Sequence, residues 1–137
     1  MSESDLADLR SFYEAVAIGN LPVALSALHP EVEVHPPESW PDSEFALRGH
    51  EGMSEYLRKL AELFEDYDME PERYFDLGSG RVLVLVREGG RGKGSFGEVN
   101  SRPTAHAWTM RGARGLRLDV YWDREIAFEA HGFRPPA

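Results

Sequence analysis

The sequence contains no cysteine. Disulfide bonds, thiolate catalysis and cysteine–zinc sites are therefore excluded. Basic residues are also few, because 15 Lys and Arg against 24 Asp and Glu give a formal net charge of −9. Nucleic acids and anionic membranes both favour a basic protein surface. We therefore expect neither nucleic acid nor a membrane among the partners of this protein.

Long apolar runs are absent as well. No stretch approaches the roughly 20 consecutive apolar residues that a membrane-spanning helix needs. The amino terminus reads Met1-Ser-Glu-Ser-Asp, which lacks the basic and apolar regions of a signal peptide. We therefore expect a soluble cytoplasmic protein, and the length of 137 residues predicts one domain over 1–137.

Apolar residues do recur at helical spacing in four segments. In the first segment Leu9, Phe12 and Val16 fall on one helical face. Gly19 follows the first segment and Gly132 follows the last, and glycine is common directly after a helix. The predicted helices span 4–18, 22–28, about 50–65 and 124–131.

Five further segments have the composition of strands. The second half of the chain holds most of them, and Pro103 within one of them predicts a bulge. Four glycines between Glu88 and Gly94 predict a turn or a bulge, and residues 36–48 are expected to form a loop. The predicted strands are Val32–His35, Met69–Leu77, Arg81–Arg87, Phe96–Met110 and Leu116–Trp122.

The resulting order is α-α-β-α-β-β-β-β-α. Helices that come early and strands that come late are typical of the α+β class, in which helices cover one face of a sheet. We expect a strongly curved mixed or antiparallel sheet, with three N-terminal helices forming a cone around a pocket and a short C-terminal helix. The run Val82–Val86 is apolar on both faces. One face can point to the pocket, and the closing helix is too short to bury the other. This predicts a homodimer built on the outer sheet face.

A histidine interrupts the apolar pattern near the end of the chain. Side chains alternate across a strand, so His106 shares a face with Trp108, and Val120 shares one with Trp122. We expect His106 to point into the cavity with these neighbours. If His106 is catalytic, His106→Asn should keep the fold and abolish turnover, whereas His106→Leu should leave stability equal or better.

Three segments make the chain similar to the nuclear transport factor 2-like superfamily, and within it to SnoaL-like and ketosteroid-isomerase-like proteins. They are Phe12–Leu28, which resembles the first two helices of the family, Arg48–Met53, which resembles the entry to its third helix, and Val120–Phe133, which resembles its final strand and closing helix. The resemblance implies the cone-shaped fold, and that fold hosts enzymes as well as plain binding modules.

The resemblance also places the catalytic positions of ketosteroid isomerases on this chain. Their general-base aspartate corresponds to the neighbourhood of His35, and their second oxyanion donor, a protonated aspartate, to that of His106. Their oxyanion-hole tyrosine corresponds to Phe12, with Tyr13 one residue away. All three positions depart from the isomerase pattern, so we do not expect the steroid isomerase reaction.

His35 and His106 are the candidate catalytic residues. Imidazole can act as a base or an acid near neutral pH, and two histidines on facing strands could supply a base and an oxyanion donor. The alternative is that His106 is a satisfied core group and His35 lines a loop. Neither a metal nor an organic cofactor is expected, because no histidine pair or carboxylate–histidine cluster has ligand spacing.

Two functions remain open at this point. One is an acid–base enzyme of the isomerase, cyclase or hydrolase type, acting without a cofactor on a small apolar carbonyl or ring compound. The other is a non-catalytic protein that binds a small hydrophobic ligand. In both, the expected ligand-binding residues are mostly aromatic: Phe12, Tyr13, Trp40, Met53, Tyr56, Trp108, Val120 and Trp122.

Overall fold

The computed structural model describes residues 2–37, 46–92 and 99–136, with no account of the side chains of residues 92, 99 and 100. Ser2 caps the first helix by accepting a hydrogen bond from the Asp5 amide, and Asn20 caps the second. Gly132 ends the last helix in the left-handed conformation. The helices in the described ranges are α1 (Glu3–Ala17), α2 (Leu21–Ser26), α3 (Gly49–Leu63) and α4 (Arg124–His131).

The described strands form one curved, unclosed sheet. They are β1 (Leu28–His35), β2 (Leu47–Arg48), β3 (Phe64–Gly78), β4 (Arg81–Gly92), β5 (Val99–Arg111) and β6 (Arg114–Tyr121). Their spatial order is β2-β1-β6-β5-β4-β3. The β1–β6 pair is parallel and the other pairs are antiparallel. The predicted α+β class with a curved mixed sheet is confirmed.

The two faces of the sheet carry two separate apolar clusters. On the inner face, α1, α2 and α3 pack against alternate residues of the strands, among them Val84 and Trp108. On the outer face, Leu83 and Leu85 are buried by Ala127 of α4 and by aromatic neighbours that include Phe133. This chain therefore covers its own outer face at β4. The apolar residues that led us to expect a homodimer contact there are already buried within one protomer.

Several element boundaries differ from the sequence-based prediction. β1 begins at Leu28 rather than Val32, because a register shift between Leu28 and Glu33 accommodates the polar residues between them. β3 begins at Phe64 rather than Met69, directly where α3 ends. The predicted loop over 36–48 contains the short strand β2, which pairs with β1. The rest of that loop, including Trp40, lies outside the described residues apart from Pro36, Pro37 and Ala46.

The glycine-rich stretch, for which the sequence predicts a turn or a bulge, does not turn at Glu88. It continues β4 as far as Gly92, and residues 93–98 lie outside the described ranges. The β3–β4 register shifts between Glu65 and Asp68, opposite Arg91 and Gly89, so the pairing is irregular at this stretch. A Cβ atom at Gly90 would lie 2.6 Å from the carbonyl oxygen of Glu65, so glycine here also permits two strands to pack closely.

The bulge predicted at Pro103 is absent. Pro103 pairs with Arg87 in an uninterrupted β4–β5 register. Pairing of β5 with β6 begins only at Ala105, so one edge of β5 has no strand beside it at Pro103. A missing amide donor is tolerated at such an edge. The register shifts of the described sheet lie elsewhere: at three places in β3–β4, between Thr109 and Met110 in β5–β6, and between Leu28 and Glu33 in β1–β6.

Candidate functional site

A chain of polar side chains runs through the apolar core on the inner face of the sheet. At its centre is His106 of β5, which is 0% exposed. The Tyr13 hydroxyl of α1 lies 2.7 Å from Nδ1 of His106, and Oε1 of Glu88 lies 3.2 Å from Nε2. Both ring nitrogens are therefore engaged, and Glu88 itself is buried in β4.

This hydrogen-bonded series of side chains extends beyond Tyr13 and beyond Glu88. Nε1 of Trp108 donates to the Tyr13 hydroxyl at 2.9 Å, and the Tyr67 hydroxyl of β3 donates to Oε2 of Glu88 at 2.6 Å. The contacts form one directed series of hydrogen bonds when Nε2 of His106 donates and its Nδ1 accepts: Trp108 donates to Tyr13, Tyr13 to His106, His106 to Glu88, and Tyr67 to Glu88. We refer to these five residues as the buried relay.

Electrostatics keep one member of the relay charged. Burial by itself raises the pKa of Glu88, but His106, together with hydrogen bonds from Tyr67 and Thr104, outweighs burial and holds that pKa below its usual value. Burial raises the pKa of Tyr13 well above its ordinary value and raises that of Tyr67 as well. The relay therefore holds a carboxylate among phenols that keep their protons at neutral pH.

The structure does not bring the two candidate histidines together. His35 of β1 is aligned with Asp119 of β6, which is aligned with Ala107 of β5. Ala107 is the neighbour of His106 in the strand and points to the opposite face. His35 thus lies on the outer face, where its Nε2 is 3.4 Å from Oε2 of Glu33 and its side chain is partly exposed. The two histidines share neither a face nor a cavity.

An open pocket lies beside the relay, between α1 and α2 on one side and α3 on the other, with the start of β3 at its end. Its volume is about 1300 Å³. We call it the α1–α3 pocket. Its lining comprises Ala15, Val16, Ala17, Gly19, Leu21, Ala24, Leu25, His50, Glu51, Ser54, Glu55, Leu57, Arg58, Ala61, Phe64, Glu65, Asp66 and Tyr67.

The expected ligand-binding residues do not line this pocket. Trp40 lies outside the described ranges, and Trp122 is partly buried against the inner core. The others are buried in the inner core, where Phe12 packs edge-on against Trp108 with ring centroids 5.2 Å apart. These core residues are Phe12, Tyr13, Met53, Tyr56, Trp108 and Val120. Their role in binding stays a prediction.

Tyr67 connects the pocket to the relay, because it lines the pocket and its hydroxyl reaches Glu88. The sequence analysis missed both residues. Alternation contained a signal for Glu88, since it continues the inward-facing series of Val82, Val84 and Val86. Because the glycines that follow Glu88 favoured a turn or a bulge, the strand was predicted to end before Glu88. No comparable signal marked Tyr67, which lies where helix α3 passes directly into strand β3.

The described residues contain no group of three or more histidine, aspartate or glutamate side chains that could hold a metal ion. The three remaining histidines are engaged locally. Nδ1 of His29 accepts a hydrogen bond from the Glu31 amide at 3.0 Å, Nε2 of His50 lies 3.0 Å from the Leu28 carbonyl oxygen, and Nε2 of His131 lies 3.1 Å from the Tyr121 hydroxyl. Among the helices in the described ranges, none has the length and apolar character needed to cross a bilayer.

Solved structures with the same architecture cover almost the whole chain. TerC co-crystallised with polyporic acid shares 20% identity at a TM-score of 0.76, over 95% of this chain and 99% of that one. A Mycobacterium tuberculosis protein in complex with estradiol-17beta-hemisuccinate shares 12% identity at a TM-score of 0.73, over 90% and 97%. A Catenulispora acidiphila protein with a ketosteroid isomerase-like fold, in complex with trimethylamine, shares 13% identity at a TM-score of 0.73, over 93% of each chain.

These likenesses establish the fold class, a curved α+β cone of the nuclear transport factor 2-like type. The family follows from the sequence: residues 9–126 match the model of the SnoaL-like domain. The chain therefore belongs to the SnoaL-like family. No curated protein matches the sequence.

Proposed function

We propose that this protein binds a small apolar molecule in the α1–α3 pocket. The observation that carries the proposal is the pocket itself, about 1300 Å³ in volume, with a wall of apolar residues and glycine contributed by α1, α2 and the turn between them. Ligand pockets typically combine apolar walls with a few polar groups. Three structural neighbours are described with small molecules bound, which supports the use of this fold for such ligands.

The two histidines support binding more than they support catalysis by a histidine pair. A shared active site needs both within reach of one substrate. Here His35 faces the outer side of the sheet, and the nitrogens of His106 are both hydrogen-bonded inside the core. The pair therefore does not meet the condition that would favour a two-histidine mechanism.

A second function, acid–base catalysis on a carbonyl or ring compound, has one specific observation in its favour. Tyr67 is one of the residues that line the pocket, and its hydroxyl donates a hydrogen bond to the ionised Glu88 carboxylate. In this proposal a substrate gives a proton to the Tyr67 oxygen while Tyr67 passes its own proton to Glu88. His106 then holds Glu88 in place through Nε2.

The binding proposal is tested with Nile red, a neutral dye whose emission rises in apolar surroundings. Ala17→Trp places a large side chain in the pocket from α1, and Ala7→Trp adds the same side chain to an exposed position of the same helix outside the pocket. We expect saturable emission with the unchanged protein and with Ala7→Trp, and at least about tenfold weaker binding with Ala17→Trp. Equal binding by both variants would place the dye elsewhere.

The catalytic proposal is tested by deuterium exchange. The probe is 2-tetralone in deuterated buffer, with exchange next to the carbonyl followed by NMR. Catalysis predicts exchange faster than in buffer alone, and a loss of that rate in Tyr67→Phe without loss of Nile red binding. An exchange rate equal to that in buffer alone would contradict the catalytic proposal and leave ligand binding as the proposed function.

Two further expectations concern the state of the protein and are proposals here. We expect a cytoplasmic protein, and we expect a homodimer. Because the chain buries its own outer face at Leu83 and Leu85, the dimer contact is expected elsewhere. Sedimentation showing a monomer at micromolar concentration would contradict the dimer.

A further inference from the structure

The ionisable groups of the α1–α3 pocket lie on one side of it. The side formed by α1 and α2 presents only apolar residues and glycine, including Val16, Leu21 and Leu25. The opposite side is mixed, because α3 contributes Leu57 and Ala61 as well as Ser54 and several charged residues. A ligand that fills this space therefore meets apolar surface throughout and charged groups on one side, which favours an amphipathic molecule.

The charges on the polar side are mostly negative. Four carboxylates line the pocket: Glu51 and Glu55 from α3, and Glu65 and Asp66 from the start of β3. Arg58 also lines it, but Nη1 of Arg58 is 2.7 Å from Oε1 of Glu62, so this cation is already paired within its helix. The protein as a whole is also negatively charged, since its formal net charge is −9.

We propose that the pocket selects apolar molecules that carry an ammonium group, with the apolar body against α1 and α2 and the cation toward Glu51 and Glu55. The inference rests on the proposed binding function and names its ligand class. A cation gains from the surrounding carboxylates, whereas an anion of the same shape is repelled by them. A neutral molecule of that shape gains only the apolar contact.

The test uses three ligands built on one cage: 1-adamantylmethylamine, 1-adamantanemethanol and 1-adamantanecarboxylate. Calorimetry at neutral pH and low salt measures each dissociation constant. We expect the amine to bind about tenfold tighter than the alcohol, and the carboxylate to bind weakest, because several surface charges act together. The difference should shrink as salt is added, since exposed charges are screened.

A pair of variants locates the effect. Glu51→Gln with Glu55→Gln removes two pocket carboxylates, and Glu3→Gln with Glu129→Gln removes two exposed carboxylates outside the pocket lining. Both change the net charge equally. We expect the preference for the amine to fall to within about twofold in the first variant and to persist in the second.

Several results would overturn the proposal. Equal binding of amine and alcohol, or tighter binding of the carboxylate, removes the charge selection. Loss of the preference in both double variants assigns it to the overall charge and not to the pocket. If none of the three ligands binds while Nile red does, the ligand class is wrong and the binding function stands. If Nile red fails as well, the binding function fails.

Discussion

Replacing His106 with leucine would take from the buried Glu88 carboxylate the attraction and the hydrogen bond of the histidine, and would leave it the hydrogen bond from Tyr67. Leucine has a similar volume to histidine, so no large cavity forms. The loss is electrostatic, because Nε2 of His106 lies 3.2 Å from the carboxylate and both side chains are almost completely buried. The Tyr13 hydroxyl also loses its acceptor. The expectation from sequence was equal or better stability, and the presence of Glu88 reverses that expectation.

The size of the effect follows from the cost of an unpaired buried charge. Removing one partner of a buried pair typically costs about 3–5 kcal/mol. We expect the free energy of unfolding of His106→Leu to fall by about that amount at neutral pH, measured by urea denaturation. Adding Glu88→Gln should recover part of the loss, because the charge disappears while Tyr67 keeps an acceptor.

The pH dependence supplies an independent check. In the unchanged protein the pKa of Glu88 is held below its usual value, so its contribution is present above the unfolded pKa and is lost as the pH falls. In His106→Leu only burial and the remaining hydrogen bonds act, which raises the pKa of Glu88 relative to the unchanged protein. The destabilisation should therefore shrink on acidification. A variant within about 1 kcal/mol of the unchanged protein, with no pH dependence of the difference, would show that Glu88 does not need His106 to stay ionised in the core.

Two further predictions concern other elements. Burial raises the pKa of Asp8 from 3.8 to about 7, with Arg114 opposing it, so the chain loses stability as the pH rises between those values. Because Asp8 is only half-buried, Asp8→Asn should stabilise the protein by only about 1–2 kcal/mol above neutral pH and leave it unchanged at acidic pH, and the opposite trend in urea denaturation would contradict this. Gly90→Ala should lower the melting temperature, since its Cβ would lie 2.6 Å from the Glu65 carbonyl oxygen at a cost of about 1–3 kcal/mol. An unchanged melting temperature would show that β3 can move away.

Local patterns in the sequence account for most of the fold. The helices over α1 and α4 follow from apolar spacing and from the residues that cap and end them, and both lie within a residue of their predicted bounds. Alternation along β5 also places His106 on the inner face with Trp108. These features depend on residues close together in the chain.

The candidate site depends on contacts between segments that are distant in the sequence. Local sequence patterns do not predict such contacts. The separation of His35 from His106 follows from the parallel register of β1 and β6, and a shift of one residue would have reversed the face. The Tyr67–Glu88 bond joins residues 21 positions apart. The pocket forms only where α1 and α2 face α3 on the inner side of the sheet, which no single segment encodes.

Binding of a small apolar molecule in the α1–α3 pocket can be measured directly by the change in backbone amide NMR shifts on adding 1-adamantanemethanol. This probe is neutral and so independent of the charge proposal. We expect changes concentrated on the pocket lining, at residues such as Ala17, Leu25 and Ser54. Changes confined to the outer face around Leu83 and Ala127, or no saturable changes, would contradict it.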